Sequence, residues 1–262
     1  MKKLAAALAL SLLPLAFAAQ AEITTTDVVG RKVTVPDVPK RVVLGFYYED
    51  YLAIAGPGSL DRVVGLSLTT WKDWRPKQFA AYEKALPKLK TLPDVGSTDD
   101  NTFSIEKLIA TKPDLLILAT FSYEALGESV KQIEAAGIPV LVLDYLSQTV
   151  DKHVASTLAL GKIMGQEKRA QELADNYRKA FEDIDARIKK AGPTKKKVYF
   201  ELAQKGASEV GNSYGNSMWG ALVTRLGGHN IADGQVGNWG PLSPEYVLSQ
   251  KPDLIFLAGS EW

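Results

Sequence analysis

Aromatic rings stand where short apolar runs end, and this pattern is the strongest chemical signal in the chain. "VVLG" leads to Phe46, Tyr47 and Tyr48; "VVGLS" to Trp71 and Trp74; "LLILA" to Phe121 and Tyr123; "VLVLD" to Tyr145; and "IFLAG" to Trp262. Two glycine-rich segments add Tyr214, from "GNSYGNSMWG", and Trp239, from "VGNWGPLSPE". Trp219, inside a helical pattern, is read as a core residue. Rings gathered on a rim grip a bulky, partly apolar ligand by stacking and van der Waals contact. Tyr47, Tyr48, Trp71, Trp74, Tyr145, Tyr214 and Trp239 are therefore the candidate ligand-binding residues.

Other chemistry has less support. The chain has two histidines and no cysteine, which argues against a transition-metal centre. His153 is read on a solvated helix face and His229 in a loop, and no metal site is assigned. The cluster Tyr47, Tyr48, Glu49 and Asp50 offers oxygen ligands for a hard ferric ion, as a minor alternative to two acids that open a helix. No G-x-S-x-G, H-E-x-x-H, G-x-x-x-x-G-K-[ST] or strand-linked G-x-G-x-x-G occurs, so no catalytic residue is assigned. Glu106 and Glu245 could form the paired carboxylates of a secreted glycoside hydrolase. Both precede their strands, however, while the aromatics follow theirs.

These two glutamates belong to a repeat. "FSIEKLIATKPDLLILAT" (103–120) returns without a gap as "LSPEYVLSQKPDLIFLAG" (242–259). Each copy reads as a Ser-capped helix, a Pro-Asp turn and a buried strand. Elsewhere too, helical stretches alternate with apolar runs: Glu49 to Ala55 before "RVVGLS", and Tyr123 to Ala136 before "PVLVLD". Such alternation predicts an α/β fold of Rossmann-like lobes with mostly parallel sheets. Ahead of them, "ITTTDVVGRKVTV" reads as a hairpin turning at Gly30-Arg31, feeding a strand at Val42 to Gly45. Residues 149–191 read as helix with a break at Gly165. The longer piece spans roughly 37 Å, enough to link two lobes with a ligand cleft between them. The resulting division is 22–148 for the N-terminal lobe, 149–191 for the linking helix and 192–262 for the C-terminal lobe. After its repeat the second lobe lacks the further helix and strand that follow the first, so it reads as incomplete.

Residues 1–21, "MKKLAAALALSLLPLAFAAQA", carry two lysines, an apolar run and small residues before Glu22, the pattern of a cleaved signal peptide. No other run is long and apolar enough for a membrane helix. Without a cysteine there is neither a disulfide nor a lipid-attachment point, and the periplasm is the expected address. Loss of Lys2 and Lys3 leaves 29 basic against 30 acidic residues, a balance that gives nucleic acid no purchase.

In this order, "DVVGRKVTVPDVPKRVV", "GSTDDNTFSIEKLIATKPDLLIL", "GIPVLVLD", the long helix, "LGGHNIAD" and "LSPEYVLSQKPDLIFLAG" resemble the substrate-binding proteins of bacterial ABC importers for iron-siderophores, haem and cobalamin. The resemblance covers essentially the whole chain after residue 21. It implies two α/β lobes joined by one long helix, no catalysis and no resident cofactor. The implied ligand is a small-molecule iron chelate, a ferric siderophore first, with haem or cobalamin as alternatives. It also implies a monomer that meets an inner-membrane permease dimer with its ATPase. In that family one acidic residue near the start of the equivalent helix in each lobe docks onto permease arginines; carried over, these are Glu106 and Glu245.

Overall fold

The computed structural model describes residues 22–56, 58–192, 194, 196–203 and 211–259. The leader read over 1–21, the stop signal at Pro193 and the ring of Trp262 lie outside these residues. Strands β1 (Ile23–Thr26) and β2 (Lys32–Val35) form the expected antiparallel hairpin. Gly30 sits at its turn with φ 82°, a conformation open to glycine at no steric cost. Asp27 holds the turn by accepting from the Val29 and Arg31 N–H groups, at 3.2 and 2.8 Å, and from the Arg31 guanidinium.

The first lobe then alternates through β3 (Val42–Leu44), α1 (Tyr48–Ala55), β4 (Val63–Leu66), α2 (Leu68–Trp74), α3 (Pro76–Ala85), α4 (Ile105–Ala110), β5 (Leu115–Ala119), α5 (Thr120–Leu126), α6 (Ser129–Ala135) and β6 (Val140–Leu143). Its four strands are all parallel, in the order β4-β3-β5-β6. Apolar clusters pack on both faces, so β3, β5 and β6 are buried along their lengths, as continuous Val/Leu runs require. Residues 123–136, read as one helix, are two, because Gly127 at φ 48° ends α5 and turns the chain into α6.

Helices α7 (Val150–Ile163) and α8 (Glu167–Ala191) follow, with the break at Gly165 where the sequence placed it. They cross closely. A Cβ on Gly161 would lie 2.1 Å from the Ala170 Cβ, so this contact needs glycine. The second lobe comprises β7 (Lys197–Leu202), β8 (Asn212–Tyr214), α9 (Met218–Arg225), β9 (His229–Asn230), β10 (Trp239–Pro241), α10 (Pro244–Gln250) and β11 (Leu254–Ala258). Its sheet is mixed: β9 and β11 run parallel to β7, whereas β8 pairs antiparallel with both β7 and β10. The antiparallel pair was read as loops, since runs such as "NSY" and "WGP" are too short and glycine-rich to show alternation.

The repeat has a structural cause. Ser104 and Ser243 each accept, through Oγ, the N–H three residues on, from Lys107 at 3.2 Å and Tyr246 at 3.1 Å. Lys112 and Lys251 both adopt φ 49°, turning the chain back at the helix end. Asp114 then accepts the Arg41 N–H and returns its own N–H to the Arg41 carbonyl, both at 2.8 Å. Asp253 makes the same exchange with Lys197, at 2.7 and 2.8 Å. Each copy thus clamps the start of one parallel strand to its neighbour.

The lobes are joined by a column of rings as well as by α8. Tyr47 meets Tyr145 edge-on at 4.9 Å, Tyr145 meets His153 at 4.7 Å, and His153 stacks on Tyr177 at 3.6 Å. Tyr177 contacts Phe181, and Arg225 of α9 lies over Phe181 at 4.3 Å while pairing with Asp185. His153 is therefore partly buried between rings and not on a solvated face, and burial lowers its pKa from 6.5 to about 4. In the native state it is neutral, whereas in the unfolded chain it takes a proton below about pH 6.5. Its contribution is thus fully present above pH 6.5 and is lost as pH falls towards 4. Asp50, raised to about 6 by burial and the Glu49 charge, acts in the opposite sense. The stability difference between wild type and His153→Phe is therefore expected to be flat above pH 7 and to shift against wild type between pH 6.5 and 4. Denaturant unfolding across that range measures it; a difference independent of pH would contradict the neutral, buried imidazole.

Candidate functional site

The order β4-β3-β5-β6 reverses direction between β3 and β5, and the chains leaving their carboxyl ends diverge there, where open α/β sheets hold ligands. A cavity of about 450 Å³ opens at this place between the lobes. The first lobe contributes Trp74 at the end of α2, Asp99, Thr120 and Phe121 at the start of α5, and Asp144, Leu146 and Ser147 after β6. The second contributes Leu202 at the end of β7, then Tyr214, Ser217, Met218, Asn238 and Trp239. Tyr214 and Trp239 are direct partners across the β8–β10 pair, which sets their side chains on one face of the ribbon. Trp74 and Trp239 are 44% and 55% exposed, so both rings are free to be covered.

The candidate aromatics divide into two groups. Trp74, Tyr214 and Trp239 line the chamber. Tyr47, Tyr48, Trp71 and Tyr145 are buried in the first lobe around a separate cavity of about 110 Å³, which shares Leu146 with the chamber. Tyr48 and Trp71 stack with centroids 4.6 Å apart. The Tyr48 hydroxyl donates to the Ser67 carbonyl at 2.5 Å, and the Tyr47 hydroxyl accepts the Tyr145 N–H at 3.1 Å. Burial pushes both phenols well above the usual tyrosine range, so they stay neutral. Both hydroxyls are thus engaged within the first lobe, and Glu49 of the "FYYED" cluster is paired with Arg75 at 3.4 Å. Trp219 is 44% exposed and stacks on Phe200 at 5.2 Å, so it is not the core residue expected from its helix. His229 is exposed, in β9 and not in a loop.

Several lining residues escaped the sequence reading. Asp144 closes the turn after β6, its Oδ1 accepting the Leu146 and Ser147 N–H groups at 3.1 and 2.9 Å. Its Oδ2 accepts from the Ser147 hydroxyl and from Lys152 Nζ, the latter at 2.9 Å. Burial alone would raise this carboxyl, but the bonds from Ser147 and Lys152 outweigh it and hold it below its ordinary value. The spacing Asp-x-x-Ser at a strand end was a readable turn signal. Met218 carried no such signal. It adopts φ 46° and donates its N–H to the Leu146 carbonyl at 3.1 Å, a direct bond between the lobes. A positive φ at a non-glycine residue is costly, and it stands here beside the candidate site.

Glu106 and Glu245 line neither cavity. Both are exposed in the first turn of their Ser-capped helices, and neither makes an ion pair among the described residues. Among those residues no three His, Asp or Glu side chains are grouped to hold a metal ion, and no helix is long and apolar enough to cross a membrane.

A family model described as "Periplasmic binding protein" matches residues 43–262. The molybdate-binding protein MolA of Haemophilus influenzae is 26% identical over 263 residues, covering 93% of this chain and 70% of its own. The vitamin B12-binding protein of Salmonella choleraesuis is 28% identical over 186 residues, 70% of this chain and 65% of its own. Among solved structures, the TroA-like periplasmic binding protein FepB from Veillonella parvula superposes with a TM-score of 0.79 at 31% identity, covering 92% of this chain and 70% of that one.

The division of the rings has a measurable consequence. Trp71→Ala should lose about 3 to 5 kcal/mol of stability, as removal of a fully buried large side chain does. Trp239→Ala should stay within about 0.5 kcal/mol of wild type, as at an exposed position. Equal losses in the two variants, measured by denaturant unfolding, would refute the assignment of Trp71 to the core and Trp239 to the cavity wall.

Proposed function

The chain belongs to the periplasmic binding protein family, and on that premise we propose that it captures a bulky iron chelate, a ferric siderophore first, and delivers it to an inner-membrane ABC importer. The observation that carries this reading is the chamber of about 450 Å³, walled by Trp74 and Phe121 from one lobe and by Tyr214 and Trp239 from the other. That volume falls within the range of small-molecule sites and far exceeds a bare ion. Cobalamin or haem in the same role is the second reading, favoured by the likeness to a vitamin B12-binding protein. Hydrolysis by Glu106 and Glu245 has no such support, because both stand outside the cavities. The periplasm and a leader over residues 1–21 complete this reading, and no chemical step is assigned to the protein.

Native mass spectrometry of protein taken from its own periplasm should reveal a co-purifying iron chelate or tetrapyrrole. Its addition to the stripped protein should quench tryptophan fluorescence. Trp239→Ala should weaken that binding by about 1 to 3 kcal/mol if the ring is an anchor. Unchanged affinity in this variant and in Trp74→Ala would remove the chamber as the site.

Delivery requires a grip on the permease. Glu106 and Glu245 occupy equivalent corners of the two lobes, each exposed on a capped helix, where two carboxylates could meet two arginines of a dimeric partner. Two contacts acting together would also orient the chamber over the pore, the second being strengthened by effective concentration. Glu106→Arg and Glu245→Arg are each expected to keep fold and ligand binding yet lose ligand-stimulated ATP hydrolysis by the reconstituted importer, the double variant most completely. A double variant that stimulates like wild type would leave these glutamates with helix-opening roles alone.

A further inference from the structure

The chamber has a one-sided charge. Among the described residues that line it, Asp99 and Asp144 are ionisable acids, and there is no Lys, Arg or His. Asp144 is spent: all its bonds go to the turn it closes and to Lys152, which balances its charge from outside the lining. Asp99 is different. Its carboxylate accepts from the Ser97 hydroxyl at 3.2 Å and has no cationic partner among the described residues. Desolvation raises its pKa, with the Ser97 bond opposing and the Asp100 charge adding. Cations around the chamber are paired or exposed: Lys152 pairs with Asp144, Arg75 of the adjoining groove pairs with Glu49, and Lys77 of that groove is exposed. Of the N–H groups that open α9, the first, on Met218, is bonded to the Leu146 carbonyl.

A polyanion entering this space would give up its hydration, find apolar rings in return and meet a carboxylate that has no cationic partner among the described residues. Unmatched charge of this kind excludes ligands more effectively than added contacts attract them. We propose that the chamber admits chelates whose enclosed part is uncharged or cationic, that it rejects oxyanions and polyanionic chelates, and that Asp99 sets this preference. The proposal rests on the chelate-binding reading above and narrows it. Kinship does not dictate the outcome, since the relatives named above include both a molybdate-binding and a vitamin B12-binding protein.

The test is a tryptophan-fluorescence titration of the whole chain with four probes: an uncharged ferric trihydroxamate, cyanocobalamin, a ferric triscatecholate of charge −3, and molybdate. The trihydroxamate or cyanocobalamin should bind at least about tenfold tighter than both anions, and the gap should shrink as salt is added. Asp99→Asn should narrow the gap, and Asp99→Lys should narrow it further or reverse it. Asp99 stands on an exposed loop, so these variants should fold, as circular dichroism will verify. A triscatecholate or molybdate that binds as tightly as the uncharged probes overturns the charge preference and leaves the chamber a binding site. The same selectivity in Asp99→Asn as in wild type removes Asp99 from the role. Failure of all four probes to bind would instead strike the chelate-binding reading, and the charge preference with it.

Discussion

Everything at the candidate site depends on how two lobes are held at a fixed separation by one helix and a row of rings. Tyr47, Tyr145, His153, Tyr177 and Phe181 run from the strand ends of the first lobe along α7 and α8, and Arg225 closes the row from the second lobe. Each contact is modest, on the order of 1 kcal/mol beyond the area it buries. Their effect is geometric, because rings packed in a row, two contacts edge to face and one stacked, leave few alternative arrangements. Leu146, the neighbour of Tyr145, lines the chamber and bonds through its carbonyl to Met218 of the other lobe. Whatever holds the row in place therefore also fixes the floor of the chamber.

The repeated segment solves a different problem. Parallel strands cannot be joined by a tight turn, so each must be brought to its neighbour by a crossover and fixed in register at its start. Asp114 and Asp253 do this by exchanging hydrogen bonds with the backbone of Arg41 and Lys197. The run Lys-Pro-Asp supplies such a clamp: a lysine held at φ 49° against its steric preference, a proline that stops the helix, and a carboxylate placed ahead of the strand. Glu106 and Glu245 each lie in the first turn of the Ser-capped helix that opens its copy of this unit.

Much of this was legible in the sequence for physical reasons. Continuous apolar runs such as "LLILA" and "VLVLD", short, β-branched or leucine-rich and bounded by turn residues, fit buried strands of a parallel sheet, and Gly165 breaks a helix where it adopts φ 64°. Strand ends located the site as well, but they do not report depth. Tyr47, Tyr48, Trp71 and Tyr145 follow their strands as Trp74 does, yet they fold inward, and whether a ring becomes floor or wall depends on the packing of distant helices. His153 illustrates the same blindness. Its helix position looked solvated until Tyr177, 24 residues away in the sequence, closed over it. The antiparallel β8–β10 ribbon was hidden by its brevity, and with it the pairing of Tyr214 and Trp239.

Movement between the lobes is restricted by the same architecture. Helix α8 runs from Glu167 to Ala191 without a glycine or proline, so its interior offers no place to absorb a change in backbone angle. Glycines with positive φ stand at its two ends, Gly165 at 64° and Gly192 at 77°. Large hinge motions need several residues that can change conformation together, and here the candidates are separated by a rigid rod. Near Gly165 the α7–α8 crossing is locked by the close approach of Gly161 to Ala170, which removes freedom from that end. Near Gly192 the Arg225–Asp185 pair ties α9 back to the helix. This geometry favours small rotations about the ends of α8 over a large hinge, with the row of rings and the Met218–Leu146 bond opposing movement. With the lobes so constrained, the shape of the chamber is largely set beforehand by the placement of Trp74 and Trp239 on opposite lobes.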